Sequence, residues 1–96
     1  MGKRVLVVVR DLFFRSKLTT VVTAAGGEVV RDQCDFAVIE LGGGDVEARI
    51  AALVEQGIPV LAFGSHVKPE ALRAARALGA TAVPNSEVEK TLRAFF

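Results

Sequence analysis

The stretch RVLVVV, Arg4 to Val9, restricts the fold more than any other part of the chain. It is apolar at successive positions, rich in β-branched residues and too short for a helix, so it has two faces to hide. Such a run marks a parallel strand covered by helices on both sides. Three more segments repeat the theme: EVV (Glu28 to Val30), DFAVIEL (Asp35 to Leu41) and IPVLAF (Ile58 to Phe63), with TAV (Thr81 to Val83) as a short fifth strand. Pro59 falls at the beginning of its strand, where a missing N–H does least harm.

Between these runs the apolar residues change to helical spacing. From Ser16 to Ala25, Leu18, Val21, Val22 and Ala25 share a face, and Gly26-Gly27 supply a stop. The helix is weak in itself, because Thr19 to Thr23 are stiff at χ1. Gly42-Gly43-Gly44 lead to Asp45, a good N-cap for a helix carrying Val46, Ile50, Leu53 and Val54 on one face and ending at Gly57. Pro69 suits the first turn of a third helix, with Leu72, Ala75 and Leu78 facing inward, Arg73 and Arg76 outward, and Gly79 closing it. Ser86 and Glu89 have capping-box spacing for a last helix with Val88, Leu92 and Phe95 on its inner side. Strand and helix alternate through short connections, which predicts one domain over residues 1–96: an open parallel sheet, flanked by helices and wound right-handed.

Composition narrows the function classes. A chain of 96 residues, 51% hydrophobic and 24% charged, can bury a modest core without disulfides or metal. Twelve basic and eleven acidic residues give a net charge of +1 with no block of one sign, so nucleic acid is not an expected partner. Cys34 is the only cysteine; it excludes an internal disulfide, reads as a packing residue and suits a reducing compartment. No apolar run approaches the ~18 to 20 residues of a membrane span, and VLVVV after Lys3-Arg4 lacks the form of a signal peptide. The expectation is a cytoplasmic protein with no membrane partner and no cofactor.

In sheets of this kind, ligands gather at the carboxyl ends of the strands. The loops to inspect are therefore Arg10-Asp11, Glu40 to Asp45, Gly64 to Lys68 and Pro84 to Ser86. Ser65 and His66 are adjacent, so their side chains tend to diverge, and no third group is placed to orient the imidazole. A nucleophile pair is disfavoured. With the free amides ahead of Pro69 they are instead a candidate anion site. The plainer reading is a tight strand-to-helix turn in which Gly64 takes a backbone angle that other residues avoid. GGGD lacks both the P-loop Lys-Ser/Thr and the G-x-G-x-x-G spacing, and reads as a flexible loop feeding the Asp45 cap.

RVLVVVRDLFFRSKL, DFAVIEL, IPVLAF and ALRAARALGATAVPNS, in that order, resemble the receiver domain of bacterial two-component response regulators over nearly the whole chain. The resemblance implies a flavodoxin-like (CheY-like) three-layer α/β fold with five mostly parallel strands in the order 2-1-3-4-5. Receivers work through an acidic pair after strand one that holds magnesium and an aspartate ending strand three that accepts the phosphoryl group. A Thr or Ser ends strand four and a lysine ends strand five. Carried over by position, the acidic pair falls on Val9 and Arg10, or with a one-residue slip on Arg10 and Asp11. The phosphoacceptor falls on Glu40, the hydroxyl on Gly64 with Ser65 one place late, and the lysine on Asn85 or Ser86.

Only Asp11 and Glu40 keep a carboxylate, which makes them the sole, weak candidates for a shared divalent cation. Arg10 is the alternative partner for Glu40, as an ion pair. Glutamate at the acceptor position also places a permanent charge where phosphoryl charge would appear. Transfer without the lysine and hydroxyl lacks the donors that stabilise the moving group. The resemblance thus implies a degenerate receiver, a non-catalytic regulatory or protein-interaction module with Leu72 to Phe96 as its contact surface. The alternative is a small-ligand or anion-binding protein using Asp11, Glu40, Ser65 and His66 at the strand ends.

One departure from the receiver pattern is structural. Between Val30 and Phe36 only Arg31, Asp32, Gln33, Cys34 and Asp35 remain, where a receiver has a helix. Six residue steps reach ~20 Å at full extension, and a parallel crossover normally takes a dozen or more residues. The second crossover helix is therefore missing. A bare extended crossing, an antiparallel hairpin of strands two and three, and pairing of strand two with another copy all remain open. A bare crossing would uncover one face of strands one and two, and such patches usually mark an interface. Phe13, Phe14, Phe95 and Phe96 add apolar area near helix ends, with core packing as the plainer reading. A homodimer is the expected assembly.

Overall fold

A computed structural model describes residues 3–96. The strands are β1 (Arg4–Val8), β2 (Glu28–Val30), β3 (Phe36–Glu40), β4 (Val60–Gly64) and β5 (Thr81–Pro84); the helices are α1 (Leu12–Ala24), α2 (Val46–Glu55), α3 (Pro69–Ala77) and α4 (Val88–Ala94). Every strand pair is parallel, and the order is β2-β1-β3-β4-β5. This is the expected flavodoxin-like three-layer α/β fold.

The two-sided apolar strands account for the layers. Val5, Val7, Phe36, Val38, Leu61 and Phe63 point to one face, where Leu18, Val21 and Val22 of α1 and Val88 and Leu92 of α4 cover them. Ala37, Ile39, Val60, Ala62 and Ala82 point to the other, against Ile50 and Leu53 of α2 and Leu72 and Ala75 of α3, with Cys34 buried among them. Fully burying a side chain such as Ile39 or Leu61 contributes about 1.5–3 kcal/mol, so β3 and β4, buried on both faces, anchor the sheet. No described helix is long and apolar enough to cross a membrane.

Of the three routes open to residues 30–36, the chain takes the bare crossing. β2 runs parallel to β1, from Arg4 opposite Glu28 to Leu6 opposite Val30, and reaches β3 without a helix. Gln33 supports the bend in the left-handed region at φ 52. Arrival on β3 is fixed by a reciprocal contact: the Asp35 N–H donates to the Arg4 carbonyl at 2.7 Å, and the Arg4 N–H to Asp35 Oδ2 at 2.7 Å. That amide, helped by the Arg4 guanidinium, holds the Asp35 carboxyl below its ordinary value. Leu6, Val8 and Val30, on the α2/α3 face, are left half-buried.

Four local expectations are corrected. α1 begins at Leu12, a turn ahead of Ser16, because Asp11 caps it and Leu12 and Phe13 ride on its exposed side. The Ser86–Glu89 box does not form: Asn85–Glu87 make a 3₁₀ turn, and no side chain caps α4. Glu89 is engaged by Lys17 of α1 at 3.0 Å and by Arg93, which together keep its carboxyl below the usual range. Asp45 precedes α2 without a side-chain cap bond. Among the phenylalanines, Phe14 packs on Phe63 and Phe95 on Phe36, at ring separations of 5.4 and 5.2 Å, whereas Phe13 stays 68% exposed.

Candidate functional site

Parallel pairing brings the carboxyl ends of β1, β3, β4 and β5 to one side of the molecule. There Arg10, Glu40, Gly64, Ser65, Lys68 and Asn85 help line a crevice of about 270 Å³. Glu40 is its organising residue. It ends β3 half-buried, and its Oε1 accepts from the main-chain N–H groups of Arg10 at 2.7 Å and Asp11 at 3.1 Å. The Arg10–Glu40 contact thus runs through the backbone of Arg10; no ion pair joins their side chains among the described residues. The guanidinium of Arg10 instead lies over Gly42, close to where a Cβ there would stand.

Asp11 has a separate task. Its Oδ1 accepts from the Phe14 N–H at 3.1 Å and so caps α1, while its own N–H serves Glu40. The two carboxylates are each turned to a main-chain donor. No group of three His, Cys, Asp or Glu side chains converges among the described residues.

Gly64 differs from its expected role. Its φ is not positive; it is the last residue of β4, opposite Pro84, and a Cβ there would stand 3.3 Å from the Cβ of Leu41. Close approach of two strand ends, rather than an unusual backbone angle, explains the glycine. Ser65 folds back on its own loop, Oγ accepting from the Val67 N–H at 3.3 Å. His66 is exposed and takes no part in lining the crevice. With Ser65, Asn85 and Ser86 it lines a neighbouring cleft of about 460 Å³, which Phe13, Phe14 and Lys17 help to wall.

The fold therefore sorts the candidates. Arg10, Glu40, Gly64, Ser65 and Asn85 meet in the crevice, Ser86 and His66 belong to the cleft beside it, and Asp11 holds the helix start. Lys68, which the sequence offered only as the end of the Gly64 to Lys68 loop, also lines the crevice, with Leu41 and Ala71; its signal was a lone basic residue directly before the Pro69 helix start. One carboxylate, two cations, a hydroxyl and an amide make a hydrogen-bonding recess without a second acid. Glu40→Ala is expected to cost about 1–2 kcal/mol by leaving two loop N–H groups without their acceptor, read as a lower urea midpoint at unchanged m-value. An unchanged midpoint would mean that the contact does not hold the loop.

No protein-family model matches this chain, and no curated protein matches it. Solved structures do. The chain is similar to the BeF3-activated DrrB receiver domain, with a TM-score of 0.83 at 15% identity, covering 99% of this chain and 94% of that one. It is similar to the chemotaxis protein CheY4 of Vibrio cholerae, with a TM-score of 0.75 at 19% identity, covering 99% and 96%. It also matches NtrX of Brucella abortus, with a TM-score of 0.80 at 17% identity, covering 99% of this chain and 26% of that one, so it spans about a quarter of that protein. At these identities the likeness establishes the receiver fold.

Proposed function

We propose that this chain is a receiver-like regulatory module that acts by binding a protein and does not serve as a conventional phosphoacceptor. The observation that carries the reading is the state of Glu40. At the acceptor position stands a carboxylate whose Oε1 is held by two main-chain N–H groups. Besides a nucleophilic oxygen, a phosphoacceptor needs a metal held by neighbouring acids and donors for the transferring oxygens. Here Asp11 is committed to capping α1, and Asn85 stands at the end of β5 in place of a lysine. The resemblance to receivers points to the α3, β5 and α4 face, Leu72 to Phe96, as a contact surface, and a free buried Cys34 suits a cytoplasmic setting.

Incubation with acetyl phosphate and magnesium, followed by intact-mass measurement, is expected to show no phosphoryl increment. A stoichiometric increment that disappears in Glu40→Gln would overturn the proposal.

A second reading is favoured by the neighbouring cleft. A recess of about 460 Å³ walled by Phe13, Phe14 and Lys17, with His66 and Ser65 at hand, has the size and mixed lining of a small-ligand site. Reproducible thermal stabilisation by one compound from a panel of nucleotides and anions, lost in His66→Ala, would move the assignment there.

A further inference from the structure

The bare crossing leaves a second groove, of about 450 Å³, on the opposite flank of the sheet from β5. Its apolar lining is Leu6, Val8 and Val30, which α2 and α3 leave half-buried, with Val7, Val9 and Val29 beside them where β1 runs on past the end of β2. Around it stand four arginines from four different places in the fold: Arg10 after β1, Arg15 on α1, Arg31 after β2 and Arg49 on α2. All four are exposed, no carboxylate lines the groove, and none of the four forms an ion pair among the described residues. On a chain whose net charge is only +1, this is a concentrated field of one sign.

We infer that this groove docks an acidic amphipathic helix of a partner protein, laid over β1 and β2 where a crossover helix would otherwise lie. An apolar stripe at i, i+3 or i+4, and i+7 would cover Leu6, Val8 and Val30, and flanking Asp and Glu side chains would meet the arginine rim. The two requirements, apolar cover and negative charge, fall on one ligand only if it is amphipathic. Self-association through this face is disfavoured, because a two-fold dimer would set one arginine rim against its copy. Nucleic acid fits less well, because no aromatic side chain lines the groove to stack on a base. The inference rests on the binding-module reading; its groove shares only Arg10 with the crevice, and the variants tested, at Arg31 and Arg49, lie outside it, so the phosphoryl test and the test below fail independently.

The test uses fluorescence anisotropy of the whole chain with a labelled leucine–glutamate helical peptide, its leucine–lysine counterpart and a short DNA duplex. The glutamate peptide is expected to bind saturably and more weakly as salt is raised; Arg31→Glu with Arg49→Glu is expected to lower its affinity by roughly tenfold or more. Single Arg31→Gln and Arg49→Gln variants, with circular dichroism as the fold control, should each lower it several-fold. The inference is overturned if the lysine peptide or the duplex binds as tightly as the glutamate peptide, or if both glutamine variants bind like the parent. It is equally overturned by light scattering that shows a dimer which the double charge reversal disrupts.

Discussion

Phe63→Ala is expected to destabilise the domain by about 3–5 kcal/mol, a large share of the ~5–15 kcal/mol that holds a typical domain together. The side chain is fully buried in β4, the second strand from the β5 edge, and lies against Phe14 of α1 at a ring separation of 5.4 Å. Removing the ring leaves a void between sheet and helix that neither can close without losing its own packing. It also loosens the two residues that follow, Gly64 and Ser65, which line the crevice. The melting temperature should fall by on the order of 20 °C. Phe63→Leu, which keeps most of the volume, should cost only about 1–2 kcal/mol. An alanine variant that melts with the parent would show that Phe63 does not tie α1 to the sheet.

The second large effect is expected at Gly79→Ala, at about 2–5 kcal/mol, from two sources that a control can separate. Gly79 ends α3 at φ +103, where a side chain is strained by about 1–2 kcal/mol. A Cβ there would also meet Val54 Cγ1 at 2.9 Å, and overpacking of that kind adds about 1–3 kcal/mol. Gly57 has a similar angle, φ +78, with nothing within 4 Å of a Cβ, so Gly57→Ala carries strain alone. Gly79→Ala should therefore be the more destabilised of the two in urea titration. Equal losses would mean that α2 moves aside freely and that the α2–α3 contact contributes little.

Strands were legible because two-sided burial leaves a mark at every residue. VLVV, FAVI and VLAF can be read as buried parallel strands without any partner being known, and the short link from Val30 to Phe36 already excluded a helix. Helix starts were legible only where the cap and the apolar periodicity agree. At α1 they disagree: Asp11 caps the helix, but Leu12 and Phe13 lie 80% and 68% exposed, so the periodic face begins only later. At α4 the pattern of Ser86 and Glu89 was present, yet Lys17, far away in sequence, draws Glu89 into another contact. The site was legible as a set of loops and not as geometry. That Glu40 would grip main-chain N–H groups while Arg10 turns to Gly42 depends on which side chain the β1–β3 register sets opposite which loop, and local sequence does not carry that. The arginine rim was invisible for the same reason, since its members are spread from Arg10 to Arg49.

The two outer strands also bear on how the protein behaves in crowded solution. A sheet with open flanks invites neighbouring molecules to add strands without limit and grow into fibrils. β2 pairs over only three residues and is bracketed by the charges of Glu28, Arg31 and Asp32, while β5 stops at Pro84, which has no N–H to offer. Neither flank is a template long enough to seed cross-β growth.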